Sequence, residues 1–246
     1  DHAVDLARLV AALAEGEDVY TLVLDFKDAF MSIPLHPSEQ RFNCAHTGFE
    51  LRRSRSALYD DEPEVGRFVV WRTLGFGGRP NPLVFSRVTS FAARAAQALL
   101  QPRLDVAAVD GPAPGALQLY VDDPVVSVRA TSDRAQESFD VLILSWLTLG
   151  IPLSWRKGSF GCGADPHRWI GIDFTLSPQG AVMRLPPRYV SELLELIQPI
   201  CCLEGFVTVD TLHAIIGKAG RVAYVVPTAK PFVSGLWGGF TGALNE

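Results

Sequence analysis

The sequence predicts an α+β fold. β-rich apolar runs and helix-period runs are interleaved along the chain, and the two β-rich runs that meet at residues 120–123 read as an antiparallel hairpin. No internal repeat or low-complexity tract interrupts the pattern. The 246 residues are 48% hydrophobic and 20% charged, enough chain to bury one large core or two modest ones.

Residues 3–14 (AVDLARLVAALA) are helix-forming, and Gly16 to Asp18 stop them. Val19 to Phe26 (VYTLVLDF) is apolar on both faces, as suits a buried central strand, and Asp25 arrives at its end. Residues 41–52 read as a hairpin around Thr47-Gly48, and residues 53–66 (RSRSALYDDEPEVG), polar and without period, as a mobile insertion. Phe68 to Leu74 resumes as a strand, followed by the loop GFGGRPNP and a helix from about Leu83 to Leu100. A Pro/Gly/Ala connection (102–115) leads to a strand from Leu117 to Val121, then Asp122-Asp123 and a returning strand, Val125 to Arg129. Thr131 or Ser132 is positioned to cap a helix that runs through Leu149 and ends at Gly150. Short strands are expected within 167–174 and 181–185, and helices at 187–198 and, after a Thr208-Val209-Asp210 start, at 208–226.

Composition excludes several classes. The longest apolar run, Val141 to Trp155, is broken by Ser145, Thr148, Gly150 and Pro152, too short to span a bilayer. No signal-peptide pattern opens the chain, which starts Asp-His without Met and so reads as part of a longer polypeptide. Cys44, Cys162, Cys201 and Cys202 show no CxxC spacing and are expected as small core residues in a reducing compartment. The net charge of −5 argues against a general nucleic-acid binder or a polybasic membrane-surface protein. The charge is uneven, however: residues 1–60 sum to −4 and residues 151–230 to +2.

Tyr120-Val121-Asp122-Asp123 sits at the apex of the expected hairpin. Adjacent carboxylates repel, so an acidic turn between apolar strands adds little stability. A solvated Asp-Asp turn is the ordinary reading of the dipeptide alone. A divalent metal makes the pair reasonable, and Asp25 offers a third carboxylate from another strand end, 97 residues before Asp122. Such oxygens suit Mg²⁺, and two ions roughly 3.5–4 Å apart would stabilise an in-line phosphoryl displacement.

Six ordered segments resemble the motifs of retroelement reverse transcriptases. Residues 22–35 (LVLDFKDAFMSIPL) look like the first palm motif, 71–87 (WRTLGFGGRPNPLVFSR) the second and 117–123 (LQLYVDD) the third. Residues 149–157 (LGIPLSWRK) are similar to the fourth, 169–172 (WIGI) to the primer grip, and 208–226 (TVDTLHAIIGKAGRVAYVV) to the thumb helix. The likeness covers roughly residues 1–240. MRLPPRYVSELLELI and VVPTAKPFVSGLW look most like the DIRS-like elements, which encode a tyrosine recombinase, with long-terminal-repeat elements and pararetroviruses as the nearest competitors.

The resemblance implies a right-hand polymerase palm, an antiparallel sheet with packed helices and partial fingers, over residues 1–186. It implies a helical partial thumb and the start of a connection over 187–246. Asp25 and Asp122 would be the principal ligands of two Mg²⁺ ions (Mn²⁺ as a substitute), supported by Asp123 and the Phe26 carbonyl. Lys157 would be the general acid for leaving pyrophosphate. Asp28, Ala29, Phe30, Phe76, Gly77, Arg79 and Tyr120 would bind the deoxynucleotide, with Phe30 as the steric gate against a 2′-hydroxyl. Trp169, Ile170 and Gly171 would hold the primer terminus. His213, Gly217 and Arg221, spaced by four on one helix face, would meet the duplex. The implied partners are an RNA or DNA template, a DNA primer and dNTPs, with no membrane. The implied setting is intracellular, in cytoplasm or nucleus, fused to fingers upstream and ribonuclease H and other domains downstream.

Gly75 departs from the family's usual Pro, and Pro124 directly follows the Asp pair. The 53–66 segment is long, and basic fingers strands are missing before residue 1. These departures keep open an inactive nucleic-acid-binding relic as the alternative. An RNA-dependent RNA polymerase is disfavoured by Phe30 and by Tyr-Val-Asp-Asp in place of Gly-Asp-Asp.

Overall fold

β-branched and aromatic side chains between Asp18 and Val23 form the first strand, and runs of strands and of helices then follow in mixed order along the chain. The computed structural model describes residues 1–46, 68–75, 78, 80–100, 113–177, 180–202 and 207–243. In chain order these hold α1 (His2–Ala11), β1 (Asp18–Val23), α2 (Pro37–Gln40), β2 (Cys44–His46), β3 (Phe68–Val70), α3 (Asn81–Gln97), β4 (Gly115–Tyr120) and β5 (Asp123–Ala130). There follow α4 (Ser132–Thr148), β6 (Ser159–Cys162), β7 (His167–Trp169), β8 (Ile172–Ser177), β9 (Gly180–Arg184), α5 (Pro187–Cys202), α6 (Val209–Val225) and α7 (Lys230–Ala243). The class is α+β with antiparallel sheets. Contacts divide the chain into Ala12–Phe160 and a second unit made of Asp1–Ala11 with Gly161–Glu246. Residues 161–186 and the N-terminal helix thus group with the C-terminal helices, whereas the sequence suggested a division at 186/187.

In the Ala12–Phe160 unit the sheet order is β4-β5-β1-β6. β1 pairs with β5 from Asp18↔Ala130 to Val23↔Val125, and β4 pairs with β5 from Gly115↔Val128 to Tyr120↔Asp123. The strand buried throughout is β5, from Pro124 to Ala130; in β1 buried positions alternate with half-covered ones such as Tyr20 and Leu22. Helices α3 and α4 pack on this sheet and on each other. Phe26, Phe85, Leu100, Phe139, Leu142 and Trp146 fill the core between them, each contributing about 1.5–3 kcal/mol by burial. Polar groups inside find partners: the Thr21 and Ser127 hydroxyls lie 2.9 Å apart. The buried Arg129 guanidinium donates to the Ala12 carbonyl and has its Nε 3.1 Å from Glu17 Oε2.

Four local expectations shift. Helix α3 starts at Asn81 and ends at Gln97, earlier at both ends than read. Thr131 precedes α4 without a side-chain capping bond, while Gly150, at φ +76°, ends that helix as expected. Cys44–His46 pairs with Phe68–Val70, so the described partner of this arm lies well beyond residue 52. The Thr47-Gly48 turn and the 53–66 insertion fall outside the described residues. The cysteines are not core residues where described: Cys44 and Cys201 are exposed and Cys162 is half-buried.

In the second unit β7, β8 and β9 form an antiparallel sheet. Helix α1 packs on it through Leu6 and Leu9, both fully buried. Gly180, at φ +124°, lets α1 approach: a Cβ there would lie 3.3 Å from the Ala7 Cβ. Helices α5, α6 and α7 pack in succession. The Thr208 hydroxyl caps α6, accepting from Thr211 N–H at 3.2 Å. Among the described residues no helix is long and apolar enough to cross a membrane.

Candidate functional site

The pairing of β1 with β5 continues past the strand end. Leu24 N–H donates to the Pro124 carbonyl (3.0 Å) and Phe26 N–H to the Asp122 carbonyl (2.8 Å). Asp25 and Asp123 therefore face each other between two bonded rungs, the position where antiparallel side chains approach most closely. On the other side of Asp25, Ser154 N–H donates to its carbonyl and Lys27 N–H to the Pro152 carbonyl, both at 2.8 Å. That pairing brings residues 152–154 alongside, and the 3₁₀ turn Trp155–Lys157 then swings Lys157 back over the strand end. Its Nζ donates to Asp25 Oδ1 at 2.7 Å. Asp25, Asp122, Asp123 and Lys157 are thus gathered from three separate segments.

Like charges set directly across a sheet destabilise it, and Asp123 and Lys157 respond to that crowding. Burial pushes the Asp123 carboxyl up, as do the Asp122 and Asp25 charges and a hydrogen bond with Asp25; Lys157 opposes them. Lys157, though exposed, holds its proton more tightly than usual, first through the bond to Asp25 and then through that carboxylate's charge.

Backbone strain marks both units. Among the described residues the non-glycine residues with positive φ are Asp28 (+53°), Val121 (+58°) and Ile170 (+45°), one in each of three motif segments. Each costs about 1–3 kcal/mol, and such strain collects at functional sites. Val121 occupies the two-residue loop between Tyr120 and Asp123, at a φ usually left to glycine.

The other expected site residues divide between the two units. In the first, Ala29 is buried and the half-buried Phe30 ring lies 4.7 Å from the ring of buried Phe85. Tyr120 is largely exposed beside the carboxylates. Phe76, Gly77 and Arg79 lie outside the described residues; the buried Asn81 side-chain amide donates to the Gly75 carbonyl at 2.7 Å. In the second unit, Trp169 is buried, edge-on to His2 at 5.3 Å and tilted against Phe174. Ile170 and Gly171 form the turn that follows it. His213 stacks on Phe240 of α7 (5.3 Å), Gly217 faces open space, and Arg221 lies against Gly171. Sequence reasoning passed over Phe85 and Asn81. A buried aromatic and a loop-closing amide carry no signal until their neighbours are known.

Asp25, Asp122 and Asp123 are the metal ligands that the sequence leads one to expect. Their donors are all hard oxygens, and two face each other at like charge, so the set fits a Mg²⁺- or Mn²⁺-type cation in chemistry. Among the described residues no group of three or more His, Cys, Asp or Glu side chains is placed so that it could hold a metal ion. The site is a strand-end carboxylate cluster closed by one ammonium, on an antiparallel sheet in an α+β chain. No protein-family model and no curated protein matches the chain.

Proposed function

We propose that this chain is the palm and partial thumb of a retroelement reverse transcriptase, an intracellular RNA-directed DNA polymerase that extends a primer 3′-hydroxyl with dNTPs. The observation that carries this reading is the placement of Asp25 directly across from Asp123 and next to Asp122, in a chain whose six motif segments run in the family's order. Asp25, Asp122 and Asp123 would hold two Mg²⁺ ions, with the Phe26 carbonyl beside them. When bound, such ions activate the primer hydroxyl and neutralise charge on the triphosphate. Phe30, backed by Phe85, presents a rigid ring suited to excluding a 2′-hydroxyl. Lys157 keeps its proton beside the carboxylates and can give it to departing pyrophosphate. The Ile170-Gly171 turn and the open backbone at Gly217 supply the surfaces for primer and duplex.

Primer extension on an RNA template with Mg²⁺, by the full polypeptide that carries this chain, tests the reading. Extension is expected, with Asp122→Asn lowering it by roughly a thousandfold or more. Absence of extension, or extension that survives Asp122→Asn, overturns it. A nucleic-acid-binding relic is the second reading, favoured by the Lys157 ammonium that already engages Asp25. It predicts primer–template binding with no Mg²⁺-dependent chemistry.

A further inference from the structure

Trp169 and Ile172 pair across a two-residue loop in which both Ile170 (φ +45°) and Gly171 (φ +76°) are left-handed. That is type I′ geometry, which favours Asn-Gly, and a β-branched residue at its first position is strained. The turn therefore needs holding from outside. Trp169 anchors its inner side in the core of the unit. On the outer side lies Arg221: a Cβ on Gly171 would stand 2.5 Å from Arg221 Nη1 and 3.2 Å from Cζ. The guanidinium thus fills the space that a side chain at residue 171 would take. It is also propped, with Cζ 5.4 Å from the centre of the Tyr189 ring. Tyr189 is itself fixed to α6, its hydroxyl donating to the Lys218 carbonyl at 2.8 Å. Lys218 Nζ lies 4.8 Å from the centre of the same ring and donates to Glu192 Oε2 at 2.8 Å.

We propose that Arg221 is a positioning residue for the Ile170-Gly171 turn: propped by Tyr189, its guanidinium sets where the turn holds the primer terminus, and it does not serve as a phosphate contact. The inference rests on the reverse-transcriptase reading. A planar fork suits this role and an ammonium does not, so Arg221→Lys fails here although it keeps the charge.

The test uses Arg221→Lys, Arg221→Gln and Gly171→Ala in the full polypeptide, with wild type and Asp122→Asn as controls. Both Arg221 variants are expected to lower extension from a matched primer terminus by roughly ten- to hundredfold. The dependence of primer–template affinity on salt should stay the same, because no phosphate contact is lost. Gly171→Ala pushes the guanidinium aside and also strains the turn at φ +76°, so it should lower extension at least as far, and the Gly171→Ala/Arg221→Gln pair should fall well short of the product of the two single effects. A salt slope that drops by about one in Arg221→Gln and is restored in Arg221→Lys overturns the proposal. So does additivity of the two substitutions. Failure of the underlying reading is told apart because it shows in wild type and Asp122→Asn. Coupling between residues 171 and 221 is measurable separately in unfolding free energies, and its absence there also overturns the proposal.

Discussion

Val121 illustrates how a single residue can be set against its own conformational preference. Its φ of +58° belongs to glycine, yet a β-branched side chain stands there, between a largely exposed Tyr120 and the acidic pair. Val121→Gly should relieve that strain and, after the entropic penalty of glycine, raise stability by about 1 kcal/mol. A higher urea midpoint with an unchanged slope is the expected result. Legibility at this scale is uneven. Asp122 and Asp123 stand out because acids seldom crown an apolar hairpin. Asp25 is conspicuous only as a strand-end acid, and its opposition to Asp123 depends on a pairing register across about a hundred residues of chain. The bond from Lys157 to Asp25 is one level further removed, since it needs the 152–154 segment to pair first.

Elements were legible where the signal is local. Thr208 starts α6 through its own hydroxyl, and Gly150 ends α4 with a left-handed residue; both effects act within a few residues. The pairing of β2 with β3 is not local, and no short-range pattern joins Cys44 to Val70. Helix α7 is the clearest case of tertiary override. Gly235, Gly238, Gly239 and Gly242 all disfavour a helix, yet Trp237 and Phe240 pack around His213 and hold one in place. A different glycine governs the large sheet. A Cβ on Gly115 would stand 2.8 Å from Val128 Cγ1 and 2.9 Å from the Ser127 carbonyl oxygen, a backbone atom that cannot swing away. Gly115→Ala should therefore cost about 1–3 kcal/mol by overcrowding the β4–β5 pair, read as a lower denaturant midpoint.

At the scale of the molecule, an imidazole pair links α1 to β7 in the second unit. His2 Nε2 and His167 Nε2 lie 2.9 Å apart, with His167 stacked on Phe174 and His2 edge-on to it. Burial pushes His2 down to about 3, helped by the neighbouring imidazole, and burial pushes His167 down to about 4. In the unfolded chain both return to about 6.5. Between these limits the unfolded chain binds the extra protons, so stability that is complete above about pH 6.5 is lost as pH falls towards 4. The melting temperature should fall over that interval, and the fall should shrink in a His2→Leu/His167→Phe double variant.

That same pair joins residues 165 positions apart in the chain, because the Ala12–Phe160 unit is inserted between the two parts of its neighbour. During synthesis at roughly 5–20 residues per second, α1 waits on the order of ten to thirty seconds before β7 is made. Through that interval Leu6 and Leu9 have no partner strand, while the inserted unit is being made and is completed first. The nascent chain thus carries a helix with an unmatched apolar face, a target for chaperones until β7, β8 and β9 are complete.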